Sequence, residues 1–423
     1  MRFIDFITEK KLMEIYNDKI IYSCNVGIDK INNYEFNKQL KKNISNIIKD
    51  ISKNNYTFKP YKIILIPKKI NSKPRKVCVP TIRDRIVIEA LKEYLYLCYE
   101  DYNLNFGISN LITKFIDGYN GNQYRKYIKV DLTTFFDMIN HKKLIKKIKN
   151  KVDDESAIEL LNKVLKNGQK HKDEIVKKNV EGVPQGLSIA MLLANIYMLD
   201  IDDKFNKIKS IKYYRYVKFY YLKLRIKLLK NKLKLNKKKT KISKFHHPFT
   251  FLGYSIKEEC ISVKKESIAK LENSIEILFK HYKINKNKEE LHWRLNIRIS
   301  GAICNNKKYG WLFYFNKIND LKLLYKLDHM VFALKKRYGV PDLKNKNFVD
   351  AYYEIKKKKL KNNKYFFNVD KATKKEKQSI LINIANISKE KVEDLSGKEL
   401  DYNYKKAIYK CLKSLEMDLD TIS

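Results

Sequence analysis

Apolar positions along the chain recur with two different periods. In residues 34–51, Phe36, Leu40, Ile44, Ile47 and Ile51 step by three or four, which predicts an amphipathic helix. Lys59-Pro60-Tyr61 breaks that pattern. Residues 61–67 (YKIILIP) and 75–80 (RKVCVP) then read as two short strands joined by KKINSKP, a hairpin with a lysine-rich tip. Residues 84–99, with Ile86, Ala90, Leu91, Leu95 and Leu97, predict a buried helix. Residues 127–136 (YIKVDLTTFF) begin as a strand, and residues 141–148 follow as a basic helix. Residues 181–202 hold a turn, GVPQG, and then an almost wholly apolar helix over 187–199. A strand is expected over 213–217, a helix over 218–235, and a strand pair over 249–256 and 259–263. From Lys264 onward the pattern is helical with basic connectors, and no internal repeat is visible. The mixture predicts an α+β protein.

Charge changes this picture most. Ninety Lys and Arg face 47 Asp and Glu, a formal charge of +43. A field of that strength makes a polyanion the natural partner, the other reading being a merely solvated lysine surface. Part of the lysine excess is also what an AT-rich genome would produce. With 44% hydrophobic and 12% aromatic residues, a packed core is expected and global disorder is not. Only 12 Gly and 7 Pro exclude a collagen-like chain. The longest apolar stretch, 187–199, falls short of the roughly 20 residues a membrane span needs. The N-terminal MRFIDFITEKK carries acids where a secretory signal would be apolar. Cys24, Cys78, Cys98, Cys260, Cys304 and Cys411 make no C-x-x-C pair, so neither a zinc site nor a disulfide framework is expected, and a reducing cytoplasmic setting fits.

Four features carry candidate chemistry. Asp131 ends an apolar strand and precedes Phe135-Phe136-Asp137; a carboxylate there can hold a divalent cation or can simply be a cap. Gly182-Val183-Pro184-Gln185-Gly186 forces a turn and presents an amide able to read a base or ribose, or is an ordinary loop leading into a helix. Lys68, Lys69, Lys73 and Arg75 converge on the hairpin, as a triphosphate clamp or as a solvated basic tip. Leu235-Asn236, Lys239-Thr240 and Phe251-Leu252-Gly253-Tyr254 follow and mean little alone.

Their order is specific. From Gly27 to Ile256 the succession YTFKPYK, IPKKINSKPRKVCVPTIRDRIV, YIKVDLTTFFDMINHKKL, GVPQGLSIAMLLANIYMLDID, YYRYV, LKLNKKKTKI and FTFLGYSI resembles a bacterial reverse transcriptase of the group II intron, retron and phage-defence lineage. The resemblance implies a right-hand polymerase: fingers over 1–125, palm over 126–255 with a helical insertion at about 142–180, thumb over 256–340, and a basic extension over 341–423. It implies RNA-directed DNA synthesis with Mg²⁺, on an RNA template or non-coding RNA, using dNTPs and yielding DNA or an RNA–DNA hybrid. By the same resemblance Asp131 matches the first metal-binding aspartate, and Phe136 the residue under the incoming sugar. Arg75 matches the fingers arginine on the triphosphate, with Lys73 nearby, and Gln185 the glutamine lining the nucleotide pocket. Lys239 falls beside the palm, Gly253 in the primer grip, and Asp137 at a position read as structural.

One departure stands out. In the family the strand matching YYRYV runs into two aspartates that complete the metal site. Here Tyr216-Val217 is followed by Lys218-Phe219. Only sixteen residues, 218–233, separate Val217 from Lys234-Leu235-Asn236, and Phe219, Leu222, Ile226, Leu229 and Leu233 mark them as a helix stripe. Asp200, Asp202 and Asp203, and Asp153-Asp154, read as solvated or capping. A lone Asp131 cannot make a two-metal clamp, so the chain as written is expected to be inactive or nearly so.

Residues 291–331 interleave Arg294, Arg298, Lys307 and Lys308 with Trp293, Tyr309, Trp311, Phe313, Tyr314 and Phe315. These rings are either a stacking surface for nucleic acid or a helical core, and the four cations are candidate nucleic-acid contacts. The segment is similar to the thumbs of antiviral reverse transcriptases of the so-called unknown group. A defence polymerase is therefore expected. The alternatives are a non-catalytic nucleic-acid scaffold paired with a second reverse transcriptase or another copy, and a retron or intron mobility enzyme. No membrane partner is expected.

Overall fold

The computed structural model describes residues 1–21, 25–66, 74–102, 104, 108–119, 126–129, 132, 134–172, 176–208, 213–214, 241–244, 249–257, 259–357 and 364–419. The class is α+β, as expected: mostly helices, with short sheets of two to four strands. The contacts gather into two compact units, Met1–Leu111 with Lys126–Ser243, and Ile112–Arg125 with Lys244–Ser423. No helix among the described residues is long and apolar enough to cross a membrane.

In the first unit, α1 (Phe3–Phe6) and α2 (Glu9–Ile15) precede α3 (Asn33–Lys38) and α4 (Leu40–Ser52). The single helix expected over 34–51 is thus two. Gln39, at φ −123° and ψ 33°, leaves helical geometry, and a capping box between Asn32 and Glu35 starts the first half independently. Ile44, Ile47 and Ile51 of the expected stripe are buried. β1 (Tyr61–Ile66) and β2 (Arg75–Val79) form the predicted antiparallel hairpin, in register from Lys62 opposite Val79 to Ile66 opposite Arg75. α5 (Ile82–Cys98) begins at Thr81, whose hydroxyl accepts from the Asp84 N–H. α6 (Ile108–Tyr119) follows, belonging to the second unit from Ile112 on, and β3 (Lys126–Lys129) returns to the first.

α7 (His141–Lys149) is capped by Asn140 and α8 (Glu155–Lys166) by Asp154. Asp154 also accepts the Phe3 N–H at 2.5 Å, tying the N-terminal turn to α8; of the two readings for this residue, capping is the one observed. β4 (Gly168–Lys170) adds to β1 in parallel, and β5 (Lys177–Lys178) closes the four-stranded sheet β2-β1-β4-β5. α9 (Ala190–Asn206) is the apolar helix, buried from Leu192 through Met198. It starts three residues later than its apolar run, because residues 187–189 still belong to the turn that the preceding glycines impose. β6 (Lys241–Lys244) pairs with β3. Asp200 pairs with Lys147 at 2.8 Å, and the Tyr213 hydroxyl donates to buried Asp202 at 2.7 Å.

In the second unit, β7 (Phe249–Phe251), β8 (Tyr254–Lys257) and β9 (Cys260–Val263) make an antiparallel sheet. The first expected strand is two, folded back at Leu252 and Gly253, whose φ values are 47° and 84°. Phe115 stacks on Phe251 with ring centres 4.5 Å apart. α10 (Lys265–Asn285) and α11 (Lys288–Ser300) lead to the hairpin of β10 (Ala302–Cys304) and β11 (Lys307–Tyr309). After α12 (Trp311–Tyr314), α13 (Leu321–Arg337) and α14 (Phe348–Lys356), β12 (Phe367–Asn368) pairs in parallel with β10. α15 (Lys374–Asn383), α16 (Lys389–Glu393) and α17 (Gly397–Asp418) complete the unit. Residues on both sides of 341 therefore share one core, in which Ile297 and Ala302 pack with Ile408 and Leu412.

Candidate active site

The 182–186 turn is the node of the first unit. Its shape depends on two glycines in the left-handed half of backbone space, Gly182 at φ +80° and Gly186 at φ +101°. A Cβ on Gly182 would lie 2.7 Å from the Asp137 Cα, and one on Gly186 2.6 Å from Val77 Cγ1 and 2.7 Å from the Cys78 carbonyl. That close approach lets the backbone stitch three segments together. The Gly182 N–H donates to the Ile139 carbonyl at 2.9 Å and the Val183 N–H to that of Phe136 at 2.8 Å. On the other side, the Cys78 N–H of β2 donates to the Gln185 carbonyl at 2.7 Å.

Side chains repeat the linkage. Arg75, on β2, donates from Nε to Gln185 Oε1 at 2.9 Å. Gln185 Nε2 in turn donates to Asp137 Oδ1 at 3.4 Å. Among the described residues the two terminal nitrogens of Arg75 have no hydrogen-bond partner. Phe136 is half-buried, 5.7 Å centre to centre from the buried ring of Phe135. His141 Nε2 donates to the Gly182 carbonyl at 2.7 Å, which also accepts from Asn179 Nδ2 at 2.9 Å. That bond fixes the proton on Nε2 and leaves buried Nδ1 without a partner among the described residues.

The structure thus brings together Arg75, Gln185 and Asp137, with Phe136 beside them in the chain. Asp131, Lys73, Lys68, Lys69 and Lys239 lie outside the described residues, as does everything from 215 to 240, including the junction after Val217 and the helix expected there. Gly253 sits in the second unit, where its carbonyl accepts from the Lys264 N–H at 2.8 Å.

Arg294 and Arg298, expected to face nucleic acid, are engaged inside the second unit. Arg294 donates to Glu290 at 2.6 Å and to the Ile384 carbonyl at 3.3 Å. Arg298 donates to Asp418 at 2.8 Å, to the Ser274 carbonyl at 3.2 Å and to Ser414 Oγ at 3.4 Å. A guanidinium with three internal acceptors has little left for a phosphate. Trp311, Phe313 and Phe315 are core residues. Lys307 and Lys308 remain exposed on β11, the latter 5.8 Å from the Phe313 ring centre.

Sequence reasoning gave Asp137 only a structural part and gave His141 none; nothing in their spacing marks either. Nor did it single out Asp84, buried beneath the hairpin. Its carboxylate accepts from the Tyr56 hydroxyl at 2.9 Å, the Thr81 hydroxyl at 2.7 Å and the Lys59 N–H at 3.2 Å. Burial nevertheless outweighs those donors and pushes its pKa up to about 6.

Residues 66–217 match the family model described as reverse transcriptase (RNA-dependent DNA polymerase). The "Putative COX1/OXI3 intron 2 protein" of Saccharomyces cerevisiae is 31% identical over 186 residues, 43% of this chain and 21% of that one. The "Group II intron-encoded protein LtrA" of Lactococcus lactis subsp. cremoris is 30% identical over 166 residues, 38% of this chain and 27% of that one. "Protein YkfC" of Escherichia coli is 27% identical over 188 residues, 42% and 49% of the two chains. The chain therefore spans between a fifth and a half of these relatives. A solved telomerase from Candida tropicalis, in apo form, aligns with 55% of this chain and 61% of its own at 16% identity and a TM-score of 0.38. The stitched turn, the FFD segment and the second strand of the basic hairpin fall inside the matched stretch, and residues 66–217 are a reverse transcriptase domain with relatives among the group II intron-encoded proteins.

Proposed function

We propose that this protein has the fold of an RNA-directed DNA polymerase, with fingers over 1–125, palm over 126–255, thumb over 256–340 and a basic extension over 341–423. The observation that supports it best is the Arg75–Gln185–Asp137 chain. It draws three separate motifs of the matched stretch to one place, and leaves the terminal nitrogens of Arg75 for a triphosphate. Gln185, held at both ends, presents a fixed edge to an incoming nucleotide, and Phe136 lies under its sugar. Lys73 joins Arg75 on the triphosphate. Lys68, Lys69, Lys239, Gly253, Lys307 and Lys308 belong to the template and product path. RNA, DNA and dNTPs are the corresponding ligands.

Mg²⁺ is what such chemistry uses, and the donor set of this chain does not fit it. Two metals need converging carboxylates. By the resemblance Asp131 supplies one of them, but Lys218-Phe219 stand where the family has the aspartate pair that would supply the others. The chain as written is therefore inactive or nearly so. Primer extension in Mg²⁺ and in Mn²⁺, beside a version with a Y-x-D-D hairpin inserted after Val217, tests both halves of this reading. Extension by the restored protein alone supports it. Robust extension by the unrestored chain that disappears on Asp131→Ala refutes the inactivity.

The biological setting we infer is antiviral defence in the cytoplasm, from the similarity of 291–331 to defence-associated thumbs. Intron or retron mobility is the second reading, and the intron-encoded relatives favour it. A non-catalytic scaffold working with another reverse transcriptase is the reading that follows if the restored protein also fails to extend a primer.

A further inference from the structure

Along α7 and α8 lies an open groove of about 400 Å³, whose lining includes none of Arg75, Phe136, Asp137 and Gln185. Its walls are Lys142, Ile145, Lys146 and Lys149 of α7, and Asn162 and Lys166 of α8. Lys142, Lys146, Lys149 and Lys166 are exposed. Lys149 pairs with Glu155 at 2.6 Å; Lys142, Lys146 and Lys166 have no carboxylate partner among the described residues.

We propose that this groove holds the phosphate backbone of a folded nucleic acid, at a place separate from the nucleotide pocket. Lys142, Lys146 and Lys149 recur at i, i+4 and i+7 along one helix face. At 1.5 Å per residue they make a row about 10 Å long. A repeating anion matches such a row, whereas a single phosphate would leave most of it unused. Lys166 faces the row from the second helix, so the charges grip from two sides. The groove offers no exposed aromatic ring, hence no platform for stacking bases. Its recognition is of backbone alone, independent of sequence. The floor is stiff, because His141 beneath it is bonded to Gly182, and Leu144 and Ile148 are core.

The test is equilibrium binding of the full chain to an RNA hairpin and to a DNA duplex of equal length, titrated from about 50 to 200 mM salt. Lys142→Gln/Lys146→Gln/Lys166→Gln is compared with Lys288→Gln/Lys391→Gln/Lys398→Gln, which removes the same charge from exposed positions of the second unit. Each lost phosphate contact lowers the slope of log K against log salt by about 0.7–0.9. The groove triple is expected to lower it by about 2 or more on at least one nucleic acid, and to weaken binding at least tenfold at the lowest salt. The control triple should change it far less. A loss on both nucleic acids identifies the bare backbone as ligand, and a loss on RNA alone identifies the A-form helix. Equal losses in the two triples mean that only net charge acts, and overturn the proposal. So does unchanged nucleic-acid binding in the groove triple, including the case where it instead loses affinity for polyglutamate. Circular dichroism of both triples checks the fold. The measurement needs no nucleotide incorporation, so it stands or falls separately from polymerase activity.

Discussion

Replacing Arg298 by Met separates a structural arginine from a nucleic-acid-binding one. The Arg298 and Asp418 side chains are 10% and 5% exposed, and the pair joins α11 to the last turn of α17. Removing one partner of a buried pair costs about 3–5 kcal/mol, because the other charge stays buried. Asp418 keeps the Ser274 hydroxyl as a donor, so the loss belongs near the lower end, about 3 kcal/mol. Asp418 already titrates above the usual carboxylate range, because burial outweighs its pairing with Arg298. Without Arg298 its pKa rises further. The native state then holds a proton that the unfolded chain releases, so stability falls as pH rises through that window. The destabilisation is therefore larger at pH 8 than at pH 5. The chain has two tryptophans, Trp293 and Trp311, both in the second unit, so urea unfolding followed by tryptophan fluorescence reads that unit selectively. RNA affinity at fixed salt should change by less than about twofold. A stability loss under about 1 kcal/mol together with a tenfold loss of RNA affinity would refute the buried placement.

Gly186→Ala should cost about 1–3 kcal/mol from backbone strain and crowding against Val77 and Cys78, and should weaken nucleotide binding in a hairpin-restored protein more than it lowers the melting temperature predicts. Asp84, with a native pKa of about 6 against about 4 unfolded, keeps its proton in the native state across that interval. Its contribution to stability therefore falls as pH rises from about 4 to about 6, and Asp84→Asn should flatten that part of a denaturation-versus-pH curve. In a hairpin-restored protein, Arg75→Ala should raise the nucleotide KM or lower kcat at least tenfold while leaving RNA affinity within about twofold; equal losses in both would mean a solvated basic hairpin.

The hairpin, the buried helices and the turn before α9 were legible because each has a local cause. Pro60 and the alternation of 61–66 fix a strand, and two glycines around Val-Pro-Gln fix a turn. The break at Gln39 was not legible, since Leu40 continues the apolar stripe across it and only the capping box reveals two helices. Arg298 shows the limit more sharply. Its partner lies 120 positions away, and an arginine among aromatics has the same local signature whether it faces RNA or a buried aspartate. The Arg75–Gln185–Asp137 chain was half legible: the motif order named two of its members, but their contact depends on how β2 folds against the turn.

β1 carries a consequence for how the protein behaves in concentrated solution. It pairs with β4 only at Tyr61 and Lys62, so from Ile63 onward, among the described residues, one edge of the strand has no ladder partner. Ile64, Leu65 and Ile66 on that stretch are 37%, 40% and 47% exposed. A sticky, apolar edge of this kind favours edge-to-edge association. What holds molecules apart is mutual repulsion at +43, and that repulsion has a range of about 10 Å at 0.1 M salt and about 3 Å at 1 M. High salt, the usual means of stripping nucleic acid from a basic protein, thus removes the repulsion that keeps these edges apart. Light scattering across a salt series should show larger particles as salt rises, and a charged residue in place of Leu65 should abolish the growth.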